Sequence, residues 1–387
     1  MKQTRKLVVF FINFGPYHLA RLHSLAALAQ SRGLEIWGIE LCAGEATYSW
    51  QTQKSVTFRW QTLFPDRFLH ELPLPAQAGR TIACLEALRP EALAVAGYSL
   101  PFAWAALSWA KLRNRPVVVM GDSTAGDLPR TRGREALKRW LVSRFDAALV
   151  GGTPQQAYFH SLGIPKPRIF PGYDVVDNGH FARKAQAARA QAPALMASLR
   201  LPPFYFLTVC RFVPKKNLSG LLAAYASYCQ WSGSTPWNLV LCGAGPEEPR
   251  LRKQAAALPG VHFAGFQQAD TLPAYYGLAR CFILPSRKNE PWGLVVNEAM
   301  AAGLPVLVSH ACGCKDDLVQ EGVNGFSFDP RDCDSLARLL LQVASGKLDL
   351  AAMGTASRRI ISRWTPDTFA RNLLKAVDAA ESRRQNE

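Results

Sequence analysis

The sequence predicts an α/β architecture of two doubly wound, Rossmann-like domains facing a central cleft. Three observations lead there. Short apolar runs alternate with helical segments through the first half of the chain. The same alternation restarts near residue 204, and a turn-rich stretch separates the two series. Strands alternating with helices form a parallel sheet covered on both faces. Such sheets bind ligands beyond the carboxyl ends of their strands.

A chain of 387 residues is long enough for two or three domains, each with its own core. Its apolar fraction of 49% and charged fraction of 19% are those of a globular protein. Lys and Arg number 45 against 29 Asp and Glu, a net charge of +16. The excess is divided evenly between the halves, with no basic tail. It favours an anionic partner such as a nucleotide or an anionic lipid. No nucleic-acid-binding module is recognisable, which argues against DNA or RNA. The nine cysteines are scattered, with only Cys312 and Cys314 close together. No Cys/His spacing fits zinc, and the pattern reads as a reducing, cytoplasmic compartment.

The elements follow in order. Leu7–Ile12 is expected as a buried first strand. Its apolar run is too short for a signal peptide, and Asn13, Gly15 and His18 follow without a cleavage site. No run approaches the length of a membrane span. A helix is expected at Leu19–Gln30, closed by Gly33. Further strands are expected at Glu35–Glu40, Ala92–Ala96, Val117–Met120 and Ala147–Val150. These make a first domain over residues 1–175. Residues 176–200 read as a connection, since Asp174, Asp177, Asn178 and Gly179 supply turn chemistry before an Ala-rich helix. A second domain, 201–365, contains strands at Phe204–Cys210, Leu239–Cys242, Val261–Phe263, Cys281–Leu284 and Pro305–Ser309. The last segment, 366–387, is expected as a helix packing back on the first domain.

The chemistry concentrates in the second half. Arg211 directly follows a strand, and Lys216 precedes Asn217, a plausible helix N-cap. Two cations near a helix start suit a diphosphate; a solvated basic loop is the plain alternative. Gly243-Ala244-Gly245-Pro246 follows another strand and by itself reads as a tight turn, although glycine also permits close approach of a ligand. Glu290 lies in the loop after Cys281–Leu284. Gly293 follows, and a helix is expected to start near Leu294 with its free amides available to an anion. Glu298 sits one turn inside that helix. Alone it reads as a surface residue, yet a carboxylate can also accept bonds from two neighbouring hydroxyls.

In sequence order, Arg211, Lys216, Asn217, Gly243, Gly245, Glu290, Glu298, Gly322, Asn324 and Gly325 make a constellation. It resembles the retaining nucleotide-sugar glycosyltransferases of family 4, which have the GT-B fold. The resemblance is most specific over residues 204–330. It implies that Arg211 and Lys216 hold the donor diphosphate, Glu290 the sugar hydroxyls and Glu298 the ribose. Backbone near Gly293, Leu294 and Val295 would touch sugar and phosphate, and Gly265 and Phe266 would lie by the nucleobase. Where the family usually has Phe, this chain has Trp292, expected to alter the donor pocket. The resemblance implies no cofactor, the nucleotide sugar being a substrate. No metal is called for either, and Asp316-Asp317 reads as a helix cap.

In the first half, Phe14-Gly15-Pro16-Tyr17-His18 follows the first strand. His18 is expected either to orient or deprotonate an acceptor hydroxyl, or to be an early helix residue. Gly15 permits close approach. Asp122 stands where family members often carry His, so it either does a related hydrogen-bonding job or caps the next helix.

Pro129–Phe145 carries the bases Arg130, Arg132, Arg134, Lys138, Arg139 and Arg144 interleaved with Trp140, Leu141 and Val142. The apolar residues are expected to face the core with the charges solvated. The alternative is reversible contact with an anionic membrane. The leading expectation is sugar transfer from a nucleotide donor, UDP-linked by resemblance, to a hydroxyl acceptor such as a lipid-linked or growing surface polysaccharide. A 2-epimerase of the same fold and a non-catalytic sugar-nucleotide-binding protein are the competing readings.

Overall fold

The structure is a computed structural model describing residues 5–44, 56–126, 131–233, 235–288 and 290–385. Met1, Pro129 and Arg130 lie outside these. The described residues form two units. One is built from residues up to Ala125, the stretch ending at Val176, and the chain from Thr365 onward; the other comprises Asp177–Trp364.

The first unit is a parallel sheet of seven strands: β1 (Arg5–Phe11), β2 (Leu34–Gly44), β3 (Arg59–Phe68), β4 (Ala92–Ala96), β5 (Val117–Gly121), β6 (Ala147–Val150) and β7 (Ile169–Pro171). Their order is β3-β2-β1-β4-β5-β6-β7. Its helices are α1 (Pro16–Gln30), α2 (Leu74–Leu88), α3 (Pro101–Leu112), α4 (Arg132–Val142) and α5 (Thr153–Ser161). The central strands are near-continuous apolar runs because both faces are covered. Every residue of β5 and β6 is buried. Strand β3 had no counterpart in the sequence reading. It is half-exposed, and its last four residues, Pro65-Asp66-Arg67-Phe68, all face solvent, so no apolar alternation marks it.

The second unit is a parallel sheet of six strands: β8 (Tyr205–Val209), β9 (Asn238–Cys242), β10 (Val261–Gly265), β11 (Cys281–Leu284), β12 (Val306–Ser309) and β13 (Gly325–Phe328). Their order is β10-β9-β8-β11-β12-β13. Nine helices are described in it: α6 (Asn178–Ala190), α7 (Ala192–Leu199), α8 (Leu218–Trp231), α9 (Glu248–Ala255), α10 (Leu272–Leu278), α11 (Leu294–Ala301), α12 (Lys315–Leu318), α13 (Cys333–Ala344) and α14 (Leu350–Ile361). The stretch 176–200, expected as a connection, is thus mostly two helices. Of these, α6 packs on α10 and α11, which makes it part of the second unit.

The final helix, α15 (Pro366–Gln385), lies on α1 and the strands β4 to β7 of the first unit. Its end is held by Asp146, which is fully buried at the start of β6. The Asp146 carboxylate accepts from Lys111 Nζ at 2.8 Å, Arg384 Nε at 3.0 Å and Arg383 at 3.3 Å. It also takes the Val117 backbone N–H at 2.9 Å. A buried carboxylate persists only with such pairing.

Candidate active site

In the second sheet the chain builds outward from β8 in both directions, through β9 and β10 on one side and through β11 to β13 on the other. The loops leaving β8 and β11 therefore part company over the carboxyl edge, the usual place for a ligand crevice. Both loops carry the residues singled out in the sequence.

Lys216 ends a short turn, Pro214–Lys216, after β8. Its ammonium donates to Oε2 of Glu290 in the β11 loop. The same oxygen accepts the Ser286 hydroxyl at 2.8 Å. The Lys216 and Glu290 side chains are only 12% and 8% exposed. Burial alone would pull the Lys216 ammonium toward neutrality. The facing Glu290 carboxylate outweighs this and holds its pKa above the usual lysine value, so the lysine is charged. The two loops are also stitched through backbone, Arg287 N–H donating to Lys215 C=O at 2.8 Å. Glu290 is further seated by Gly313, whose N–H reaches its carbonyl at 2.9 Å. The half-buried Arg211 lies on the β8 loop one residue past Cys210.

Several expectations change here. Asn217 does not cap α8 with its side chain. It takes a left-handed φ of 56° and its amide donates to the Pro330 carbonyl at 3.0 Å. Gly243 is required by packing within the protein. At φ 139° a Cβ there would strike the Cys210 carbonyl, because Cys210 N–H bonds Cys242 C=O at 3.1 Å and Gly243 N–H bonds Gly265 C=O at 2.8 Å. The ends of β8, β9 and β10 are thereby locked together, and a Cβ at Gly245 would lie 2.5 Å from the Phe212 carbonyl oxygen. Gly265 closes β10, and the Phe266 ring beyond it is 38% exposed.

Helix α11 starts at Leu294, after Gly293 at φ 107°. A Cβ at Gly293 would come within 2.7 Å of Leu284, so the turn into the helix depends on glycine. Leu294 and Val295 occupy the first turn, where backbone N–H groups lack helical acceptors. Glu298 is not the surface residue that its position alone suggests. It is fully buried and accepts the Tyr276 hydroxyl at 2.6 Å. A ribose reaches it only if the side chains over it move. Trp292 is also buried, at 2% exposure, with its indole N–H on Asn297 Oδ1 at 2.9 Å. It packs inside the unit.

In the first unit, His18 is the third residue of α1. The Gly15 N–H donates to its Nδ1 at 3.1 Å, which fixes the ring proton of the neutral form on Nε2. Burial, with the positive charge of Arg21 adding to it, drops the His18 pKa to about 3. In this tautomer His18 presents its Nε2–H as a hydrogen-bond donor. Asp122 follows β5 and does not cap the next helix; that role belongs to Thr131, whose hydroxyl accepts from Arg134 N–H. Asp316 and Asp317 lie inside α12, with Cys314 at the cap position.

Two further groups were not found by sequence reasoning. Glu40, buried in β2, fixes the loop after β1 by taking the Phe14 N–H at 2.7 Å, along with Trp60 Nε1 and Thr62 Oγ1. Arg21, 2% exposed, donates to the Val175 carbonyl at 3.2 Å, faces Asp174 at 3.8 Å and lies over the Tyr173 ring. Burial and the neighbouring Asp122 charge hold the Asp174 carboxyl well above its usual pKa, against the pull of Arg21. Arg21 and Asp174 gave no local signal, because their partners lie more than a hundred residues away. Among the described residues, no three His, Cys, Asp or Glu gather as a metal site.

Residues 196–360 match the family model described as glycosyl transferases, group 1. The second unit is a group 1 glycosyltransferase domain. A GDP-mannose-dependent phosphatidylinositol monomannoside mannosyltransferase of Mycobacterium tuberculosis is 32% identical over 218 residues, 53% of this chain and 55% of that protein. The chain thus spans about half the length of this curated relative. Over the whole architecture, a glycosyltransferase from Rickettsia africae superposes with a TM-score of 0.74 at 12% identity, covering 97% of this chain and 98% of that one. Anabaena HepE, solved with UDP-glucose, gives 0.70 at 17% identity over 97% and 99%. The glycosyltransferase domain is therefore one half of a GT-B fold. Its Lys216–Glu290 pair sits at the carboxyl edge of that domain's sheet.

Proposed function

We propose that this chain is a retaining glycosyltransferase that moves a sugar from a nucleotide-sugar donor to a hydroxyl acceptor. The observation that carries the reading is the buried Lys216–Glu290 pair, which joins the diverging β8 and β11 loops, with Arg211 earlier on the β8 loop. The bond from the anomeric carbon to the diphosphate breaks and leaves negative charge on phosphate oxygen. Arg211, Lys216 and the first-turn amides at Leu294 and Val295 stabilise that charge as it develops. Preorganised groups of this kind are each worth roughly 100-fold or more in rate. The acceptor oxygen attacks from the same face and forms the new bond. Its proton passes to the departing phosphate, so no protein base is needed, in keeping with a neutral, donating His18. Glu290 holds donor hydroxyls, and Glu298 takes the ribose once Tyr276 yields. No metal or cofactor enters this scheme.

The donor is a UDP-sugar in this reading, with GDP-mannose the second candidate because the mycobacterial relative is named for it. The acceptor is a lipid-linked or growing surface polysaccharide. The chain would work at the cytoplasmic face of a membrane in reversible contact with it; among the described residues, no helix is long and apolar enough to cross one. The deciding experiment incubates the protein with UDP-sugars or GDP-mannose, with and without acceptor. Nucleoside diphosphate release only with acceptor, and an anomeric coupling matching the donor's, supports the proposal. Net epimerised donor without acceptor would point to the 2-epimerase. An inverted anomeric product would remove the retaining assignment.

A further inference from the structure

Helix α4 reverses what its sequence suggests. Leu137 and Trp140, one turn apart, are 65% and 55% exposed, and Val142 is the helix's one buried residue. The apolar residues were expected to face the core; these two face outward. The inner side is anchored without them. Lys138 Nζ bonds Glu135 at 3.0 Å and the Tyr158 hydroxyl at 3.1 Å, and Leu141 packs on the core. Leu137 and Trp140 therefore face outward, apart from the contacts that seat the helix.

Cations surround the pair. Arg132, Arg134 and Arg139 are exposed, and the Arg144 guanidinium lies 3.7 Å from the centre of the Trp140 ring. Beside Trp140 is a depression of about 560 Å³ lined by Arg132, Arg139, Glu135, Ala136, Ser161 and Leu162. Guanidinium groups match phosphate in a fork geometry, and tryptophan suits the boundary between water and hydrocarbon.

We propose that the outward face of α4 docks on an anionic phospholipid surface. Leu137 and Trp140 enter the headgroup boundary. Arg132, Arg134, Arg139 and Arg144 pair with lipid phosphates, and the depression beside Trp140 receives a headgroup. Charge complementarity selects this occupant. A nucleic acid would use the arginines but leave Leu137 without a partner. The inference gives residues to the membrane contact proposed above and rests on that contact, not on the transfer chemistry.

The test is co-flotation of the full chain with vesicles of phosphatidylcholine containing one-third phosphatidylglycerol, beside vesicles of phosphatidylcholine alone. Wild type should float with the mixed vesicles only, and added salt should release it. The Leu137→Ser/Trp140→Ser double variant should bind at least about tenfold more weakly. Arg132→Gln and Arg139→Gln should each cost about fivefold. Matching melting temperatures and nucleotide binding will show that the variants fold. Unchanged flotation of the double variant, equal binding to neutral vesicles, or binding to duplex DNA without vesicle binding would each overturn the proposal. A protein that floats as described yet transfers no sugar fails only the catalytic reading.

Discussion

The indole of Trp292 lies against that of Trp364, with ring centroids 4.9 Å apart and planes inclined by 44°. Trp364 is the last residue of the second unit. Its carbonyl, and that of Ile361, accept the Asn178 amide at 3.1 and 2.9 Å. The loop that carries Glu290 therefore rests on the point where the chain enters and leaves its domain. Trp292→Phe keeps most of the packing but removes the indole donor to Asn297. A cost of about 1–3 kcal/mol in urea unfolding is expected, the usual penalty for a buried group losing its partner. Altered donor choice with unchanged stability would instead place Trp292 in the pocket wall.

The Lys216–Glu290 pair should be coupled in stability as well as in turnover. Lys216→Ala leaves a buried carboxylate, and Glu290→Ala a buried ammonium. Each single change should cost about 3–5 kcal/mol. The double variant should lose less than the sum, by roughly 1–3 kcal/mol. Transfer should fall by about 100-fold or more in all three. Strict additivity in the melts would mean that the pair does not exist in solution.

Gly243→Ala should be more damaging than an exposed loop change. The new methyl group meets the Cys210 carbonyl, and φ 139° is strained for any L residue. Because backbone cannot give way cheaply, a loss above about 2 kcal/mol is expected. A melting temperature equal to wild type would show that the β8 and β9 loops part easily.

Acid stability should report His18. The unfolded histidine takes a proton near its ordinary pKa of 6.5, the folded one only near 3. Between these values the unfolded state binds more protons, so stability falls as pH drops, by up to about 1.4 kcal/mol per unit. Above the ordinary value this contribution is constant. His18→Asn retains an acceptor for Gly15 and should flatten that slope. Transfer rates should show no titration of His18 between neutral and mildly acidic pH. A rate that rises with deprotonation of His18 would restore it as a base.

Much of the second unit is legible from local signals. Apolar runs mark β9, β11 and β12, and Gly293 marks the start of α11. Strand β3 escapes because exposure erases its alternation. The solvated-loop reading of Lys216 and the surface reading of Glu298 fail for one reason. Their partners, Glu290 and Tyr276, lie 74 and 22 residues away. Burial made by folding cannot be read from neighbours in sequence. For α4 the charges were visible, but nothing local tells which side of the helix meets the core.

The clasp at Asp146 sets an order of assembly. Its carboxylate waits on Arg383 and Arg384, more than two hundred residues downstream. During synthesis the first unit emerges first but is completed last, after the second unit's residues have left the ribosome. Until then its sheet lacks α15, and of the partners named above the Asp146 carboxylate has only Lys111 and the Val117 N–H. A nascent chain stalled before Thr365 would present that uncovered surface, the kind of intermediate on which chaperones act.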